Sequence, residues 1–226
     1  MKTLFYIIII FLSLLLGCKQ KLTNKIKTEV LSVFSDSTEV AVKGGTKVVL
    51  TRVLIDDSVS KMYFDCYTKD NNNWKLTSHL EEDLWSVDNS IDVKDFNADS
   101  YADIIFLKGR GARGGNVIMS LYIFNPITNS FYYVENSNDY PNLYFNAKTK
   151  TINSYSLSGS SNITIFLTLN NKTLTPIASV EQYNETNVSV QEYDSIGNSK
   201  IIFFDSSTKY QPFEQFNNYK PLEIEQ

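Results

Sequence analysis

From residue 28 to about residue 205, apolar and polar residues alternate in short runs separated by polar turns. A period of two puts successive side chains on opposite faces of an extended chain, so each run predicts a strand with one face turned inward. In Met62-Tyr63-Phe64-Asp65-Cys66-Tyr67 the inward set is Met62, Phe64 and Cys66, and Cys66 reads as a small buried hydrophobe. Val117-Ile118-Met119-Ser120-Leu121-Tyr122-Ile123-Phe124 alternates less cleanly, as a strand covered on both faces does, and is expected at the centre of the fold. No long stretch carries a convincing 3.6-residue stripe. Turns are expected at residues 70–73, 125–129, 146–150, 170–172 and 196–199, each rich in Asn, Asp, Gly or Pro. The pattern predicts an all-β domain over residues 28–226. Its expected form is an antiparallel meander of hairpins, making a small propeller-like body or a curved sandwich or barrel. The segment from Tyr210 to Gln226, with Pro212 and Pro221, is expected to be an irregular tail that packs Phe213 and Phe216.

The amino-terminal pattern is different. Lys2 precedes an apolar run from Leu4 to Leu16, followed by Gly17-Cys18. At about 1.5 Å per residue the run is too short for a hydrocarbon core of about 30 Å, so residues 1–17 read as a signal peptide rather than a spanning helix. Leu15-Leu16-Gly17-Cys18 resembles the bacterial lipobox, which implies a diacylglyceryl thioether on Cys18 and a stable membrane anchor. Residues 18–27, with Lys19, Lys21, Lys25 and Lys27, are then a lipidated tether. Lys19 after the cysteine, by resemblance to enterobacterial lipoproteins, implies an outer-membrane anchor, with the periplasm-facing side as the default.

Composition removes several function classes. The chain has 226 residues and a formal net charge of −4, and it lacks the basic patch that nucleic-acid binding needs. With Cys18 lipidated, Cys66 has no partner for an internal disulfide, and one cysteine and one histidine do not make a dedicated zinc site. His79 is read as part of a solvated polar connection beside Glu81, Glu82 and Asp83, with no nucleophile motif to accompany it. No catalytic residue is assigned, and the protein is expected not to be an enzyme. Gly109-Arg110-Gly111-Ala112-Arg113-Gly114-Gly115 lacks the Lys-Ser/Thr ending of a phosphate loop. It reads as a flexible loop presenting two planar guanidinium groups to a partner carboxylate. Asp36-Ser37-Thr38, Asp57-Ser58-Val59 and Asp194-Ser195-Ile196 resemble the O-glycosylation signal of Bacteroidetes envelope proteins.

One spacing points to a metal. In Asp95-Phe96-Asn97-Ala98-Asp99-Ser100-Tyr101-Ala102-Asp103, oxygen-bearing side chains fall at the first, third, fifth and ninth positions. Calcium takes six to eight hard oxygens at about 2.3–2.6 Å, and a chain curling around the ion turns alternate side chains inward. Asp95, Asn97, Asp99 and Asp103 would give side-chain oxygens and Tyr101 its carbonyl. An EF-hand needs a glutamate at the twelfth position, where Phe106 stands, and helices on both sides. The flanks Ile91-Asp92-Val93 and Ile104-Ile105-Phe106-Leu107 are strand-like instead.

This loop resembles the Asp-x-Asn-Gly-Asp-Gly-Tyr-x-Asp loops of FG-GAP and integrin-type repeats. After it come the glycine-rich loop, Leu121 to Phe131, Asn146 to Ile152, and Ser154-Tyr155 before Ser158-Gly159. That order, over roughly Asp92 to Leu169, resembles a bacterial envelope family of calcium-binding lysozyme inhibitors and immunity proteins. The resemblance implies a calcium cofactor and a lysozyme-like peptidoglycan hydrolase or secreted toxin as partner. It also implies contact through loops 109–115 and 154–161, with Arg110, Arg113, Tyr155, Ser158 and Gly159 at the interface. Ala98 and Ser100 stand where the family has glycines, and Asn162 where its inhibitory element has an aromatic. The competing expectations are a calcium-stabilised glycan-binding or adhesion module using surface tyrosines, and an envelope glycosidase.

Overall fold

In the computed structural model the described residues are 28–225 apart from 56–58, 87 and 89. The signal segment, Cys18, the tether and Asp57-Ser58 lie outside them. The alternating runs become strands, and within each sheet strands consecutive in the chain pair antiparallel. The first sheet is β1 (Thr28–Asp36), β2 (Thr46–Ile55), β3 (Val59–Asp70) and β4 (Asn73–Leu84). The second is β5 (Ile91–Lys94), β6 (Asp103–Gly111), β7 (Asn116–Asn125) and β8 (Ser130–Tyr133). The third runs through β9 (Tyr144–Asn146), β10 (Thr151–Ser158), β11 (Ser161–Asn170), β12 (Thr173–Tyr183), β13 (Asn187–Tyr193) and β14 (Ser199–Asp205). A last hairpin pairs β15 (Phe216–Tyr219) with β16 (Leu222–Ile224). Among the described residues no sheet closes on itself: each keeps two edge strands, so the fold is a layered sandwich and not a barrel.

Period-two alternation builds the layers. Val48, Leu50, Met62, Phe64 and Cys66 of the first sheet pack against Ile104, Phe106, Tyr122 and Phe124 of the second. The intervening residues Ile105, Leu121 and Ile123 point the other way, onto Ile152, Leu167 and Leu174 of the third sheet. Phe166, beside Leu167, joins Val180, Val188 and Val190 on the far side, where Phe216 and Tyr210 cover them. Asp103–Leu107 of β6 and Ser120–Phe124 of β7 are therefore buried on both faces, the latter as the uneven alternation of residues 117–124 implies. At roughly 1.5–3 kcal/mol per fully buried large apolar side chain, these interfaces dominate the stability.

The five turn clusters fall where expected, between β3 and β4, β7 and β8, β9 and β10, β11 and β12, and β13 and β14. Three expectations are corrected. His79 lies within β4, opposite Asp65 and stacked on Tyr63, because that strand's outer face is polar and hides its periodicity. The tail forms the β15–β16 hairpin: Phe216 is fully buried, whereas Phe213 is 47% exposed. The segments 109–115 and 154–161 are not flexible loops: Gly109–Gly111 continue β6 and only residues 112–115 turn, while residues 154–158 belong to β10 and only Gly159 and Ser160 turn before β11.

Two polar groups lie between layers, the Glu82–Lys108 pair nearly buried and Arg52 fully so. Glu82 on β4 accepts Lys108 Nζ at 2.6 Å, Ser120 Oγ at 2.6 Å and Tyr122 Oη at 3.0 Å, so an ion pair with satisfied lone pairs crosses the first interface. Arg52, 1% exposed, donates to Ser60 Oγ and to the carbonyls of Ser86 and Asp88.

Candidate functional site

Residues 95–103 connect β5 to β6, so the acidic loop does lie between strands. Its side chains fold back on its own backbone. Asp95 Oδ1 accepts the Asp99 amide at 3.2 Å and Oδ2 the Ser100 amide at 2.8 Å. Asn97 Oδ1 also accepts from Asp99 N, and Asp99 Oδ1 accepts the Tyr101 amide at 2.9 Å. The curl holds Ala98 at φ +60 and Ser100 at φ +74, the two positions without glycine. Left-handed backbone costs a residue with a Cβ roughly 1–2 kcal/mol.

Asp103 faces inward and is fully buried. Its oxygens accept the amides of Phe96 at 2.8 Å and Phe124 at 2.9 Å. Burial pushes its carboxyl up to about 8, against the pull of those two amides and with help from the charges of Asp99 and Asp95. Among the described residues no three Asp, Glu, His or Cys side chains gather as a metal cluster. The loop's donor chemistry is nevertheless all oxygen, the kind a hard cation takes. Asp95, Asn97, Asp99 and the Tyr101 carbonyl are its exposed or half-exposed donors, while Asp103 is already engaged by backbone.

The second group of expected site residues is drawn together by two asparagines. Asn116, at the start of β7, accepts the Leu157 amide at 2.8 Å and donates to the Leu157 carbonyl at 3.0 Å. Asn142 donates to the carbonyls of Gly115 at 2.9 Å and Tyr155 at 2.8 Å. The β6–β7 tip is thereby fastened to β10, and Ala112, Arg113, Leu157, Gly159 and Phe213 line one cleft of about 410 Å³. A neighbouring cleft of about 370 Å³ lies between Phe213 and the β12–β13 turn at Asn184, Glu185 and Thr186. Tyr155 Oη donates to the Phe213 carbonyl at 2.7 Å, and burial, then the Glu214 charge, raises its pKa. Arg113 at φ +56 and Phe213 at φ +60 are both strained at this cleft, and such strain concentrates at sites under functional constraint.

Arg110 is separated from this group in its contacts. Its Nε meets Asp88 Oδ2 at 3.2 Å. Ser158 pairs with Ser161 across the β10–β11 turn and accepts the Ser161 hydroxyl at 2.9 Å. Asn162, where an aromatic was expected, is buried and donates to the Glu214 carbonyl at 2.6 Å.

No family model and no curated protein matches the chain. The solved structure of a Xanthomonas type IV secretion system related protein is similar over 76% of this chain and 93% of its own, at 12% identity and a TM-score of 0.42.

Sequence reasoning missed Leu157 and Phe213 as cleft walls and Asn116 and Asn142 as the fasteners. Phe213 carries no sequence signal for its left-handed backbone. The asparagine bonds span 13 to 41 residues, beyond any local pattern.

Proposed function

We propose that the protein is a binding module of the bacterial envelope that seats a lysozyme-like peptidoglycan hydrolase, or a secreted toxin of that kind, on the 112–115/157–159 cleft and blocks it without turnover. The observation that carries this reading is the shared cleft. The β6–β7 tip and the β10–β11 turn, which the resemblance singles out as contacts, are fastened side by side and both line it. Arg113 supplies a cation at its rim, Leu157 and Phe213 an apolar wall, and Gly159 a site open to close approach. Rigid, pre-positioned hairpin tips avoid the ordering cost that flexible loops meet on binding.

In the same proposal, residues 95–103 hold calcium through Asp95, Asn97, Asp99 and the Tyr101 carbonyl. Asp103 would enter that shell only by sharing oxygens that two amides already use. The ion would offset the repulsion between the loop's carboxylates and stiffen the β5–β6 connection. Cys18 carries the lipid and residues 18–27 the tether to the outer membrane, facing the periplasm.

The test is inhibition by the mature protein of c-, g- and i-type lysozymes and of the hydrolase encoded beside it, read as loss of cell-wall lysis and as complex formation. Micromolar inhibition of at least one, lost in an Arg113→Glu variant of unchanged melting temperature, is expected. Uniform failure across the panel overturns the reading.

A further inference from the structure

Trp85 is the most exposed aromatic side chain among the described residues, at 68%, yet its surroundings are rigid. Its amide donates to the Lys108 carbonyl at 2.8 Å, which extends the contact of β4 with β6. Its ring lies on Gly109, where a Cβ would come within 3.0 Å of Trp85 Cβ and Cε3. Lys108 Nζ sits 5.3 Å from the ring centroid while bonded to the largely covered Glu82, a cation–π contact that fixes the indole from the protein side. The chain just beyond is gripped by the buried Arg52, which donates to the Ser86 and Asp88 carbonyls. Four separate contacts thus hold an indole at the surface that contributes little to any core.

The rim is polar and electrically balanced. Asp88 Oδ2 accepts Arg110 Nε at 3.2 Å, with the two side chains 59% and 43% exposed. The terminal N–H groups of Arg110 and the other Asp88 oxygen make no further hydrogen bond among the described residues. Lys108 is neutralised by Glu82 and Arg110 by Asp88, so the patch offers donors, acceptors and an aromatic face with no net charge.

We infer that Trp85 is the stacking platform of a binding site for a neutral pyranose-based glycan, with Asp88 and Arg110 reading ring hydroxyls. The faintly positive C–H face of a pyranose complements the negative face of an indole. A fixed acceptor and the fork of a guanidinium match vicinal hydroxyls, which give and receive hydrogen bonds. A protein partner would favour a different arrangement, since protein hot spots ring an aromatic anchor with groups that exclude water. Here the groups that follow Trp85 and Gly109 along the chain are polar: Ser86 and Asp88 after the indole, and Arg110, paired with Asp88, after the glycine. This site is distinct in its residues from the cleft at Arg113, and glycan binding there neither requires nor excludes hydrolase inhibition.

The test uses the mature protein carrying Trp74→Phe, so that Trp85 is the remaining indole, titrated with chitohexaose, cellohexaose, laminarihexaose and mannohexaose. Indole fluorescence and calorimetry are read together. At least one oligosaccharide is expected to bind at millimolar concentration or below and to shift the emission. Trp85→Ala is expected to weaken that binding at least about tenfold with the melting temperature held. Gly109→Ala, which keeps the indole but displaces it, is expected to weaken it as well. Binding by none of the four sugars, or binding indifferent to Trp85→Ala, overturns the inference. So does a Trp85→Ala variant that loses a protein partner while no sugar binds.

Discussion

The Asp103 carboxyl accepts the Phe124 amide at 2.9 Å across the β6–β7 pair, while its other oxygen holds Phe96 at the start of the acidic loop. One buried side chain thus joins the loop to the central sheet. Replacing it with alanine leaves two buried amides without partners, each worth roughly 1–3 kcal/mol. Asp103→Ala is expected to lose about 3 kcal/mol in urea unfolding, and Asp103→Asn, which keeps one acceptor, less.

Glu82 and Lys108 make the corresponding test for the first interface. Glu82→Ala leaves the largely covered Lys108 ammonium unpaired and is expected to cost about 3 kcal/mol or less, since a fully buried stranded charge costs about 3–5. The double variant Glu82→Leu with Lys108→Met removes both charges and should recover much of that loss. A double-mutant cycle by chemical denaturation measures the difference.

The acidic loop gives a metal prediction. Asp99→Ala should abolish the calcium-dependent rise in melting temperature expected of the native chain. Ala98→Gly with Ser100→Gly relieves left-handed strain at both positions, and part of that relief is offset by the greater backbone entropy glycine loses. Calcium affinity should rise by about tenfold in calorimetry.

Asp36 controls an acid transition at the β1–β2 connection. It accepts the Thr38 hydroxyl at 2.8 Å and the amides of Thr38, Glu39 and Val40, seating Val40 in the core. Burial alone would raise its pKa, but these bonds, the Thr38 hydroxyl foremost, bring it below the usual 3.8. A carboxyl whose folded pKa is depressed stabilises the fold above its unfolded pKa and loses that contribution as pH falls through the folded value. Asp36→Asn should therefore be about 1 kcal/mol less stable than the native chain at neutral pH. The gap should close below about pH 3.8, as followed by thermal melts across an acid series.

Gly115 probes the cleft. A Cβ there would lie 2.7 Å from Leu157 Cδ1, so Gly115→Ala must push Leu157 out of position. Inhibition of the hydrolase partner is expected to weaken, measured as a change in dissociation rate.

Much of the architecture was legible because alternation reports burial directly. Met62, Phe64 and Cys66 turned inward as a set, and Val117–Phe124 read as doubly covered, which holds for Ser120–Phe124 while Val117–Met119 are half-buried. The strand setting of the acidic loop was legible for the same reason. β4 was not, because Thr77, His79, Glu81 and Asp83 face solvent and its inward residues are interrupted by the buried charge of Glu82. β14 misleads in the opposite direction. Ile201-Ile202-Phe203-Phe204 has the composition of a core strand but is an exposed edge, since no element among the described residues covers it. For the site, chemistry near in sequence was readable, whereas the juxtaposition of Arg113 with Leu157 and Phe213 depends on asparagine bonds between separate hairpins.

Because each sheet is built from strands consecutive in the chain, its hydrogen bonds can close as the polypeptide leaves a ribosome or a translocation pore amino end first. The first sheet has all its strands once residue 84 has emerged, but its apolar face has no cover until β6 and β7 follow. Nascent chains shorter than about 125 residues thus present a sticky surface to their surroundings. A helper that shields an unfinished sheet would find its client in that interval, and would be displaced by the arrival of Ile104, Phe106, Tyr122 and Phe124.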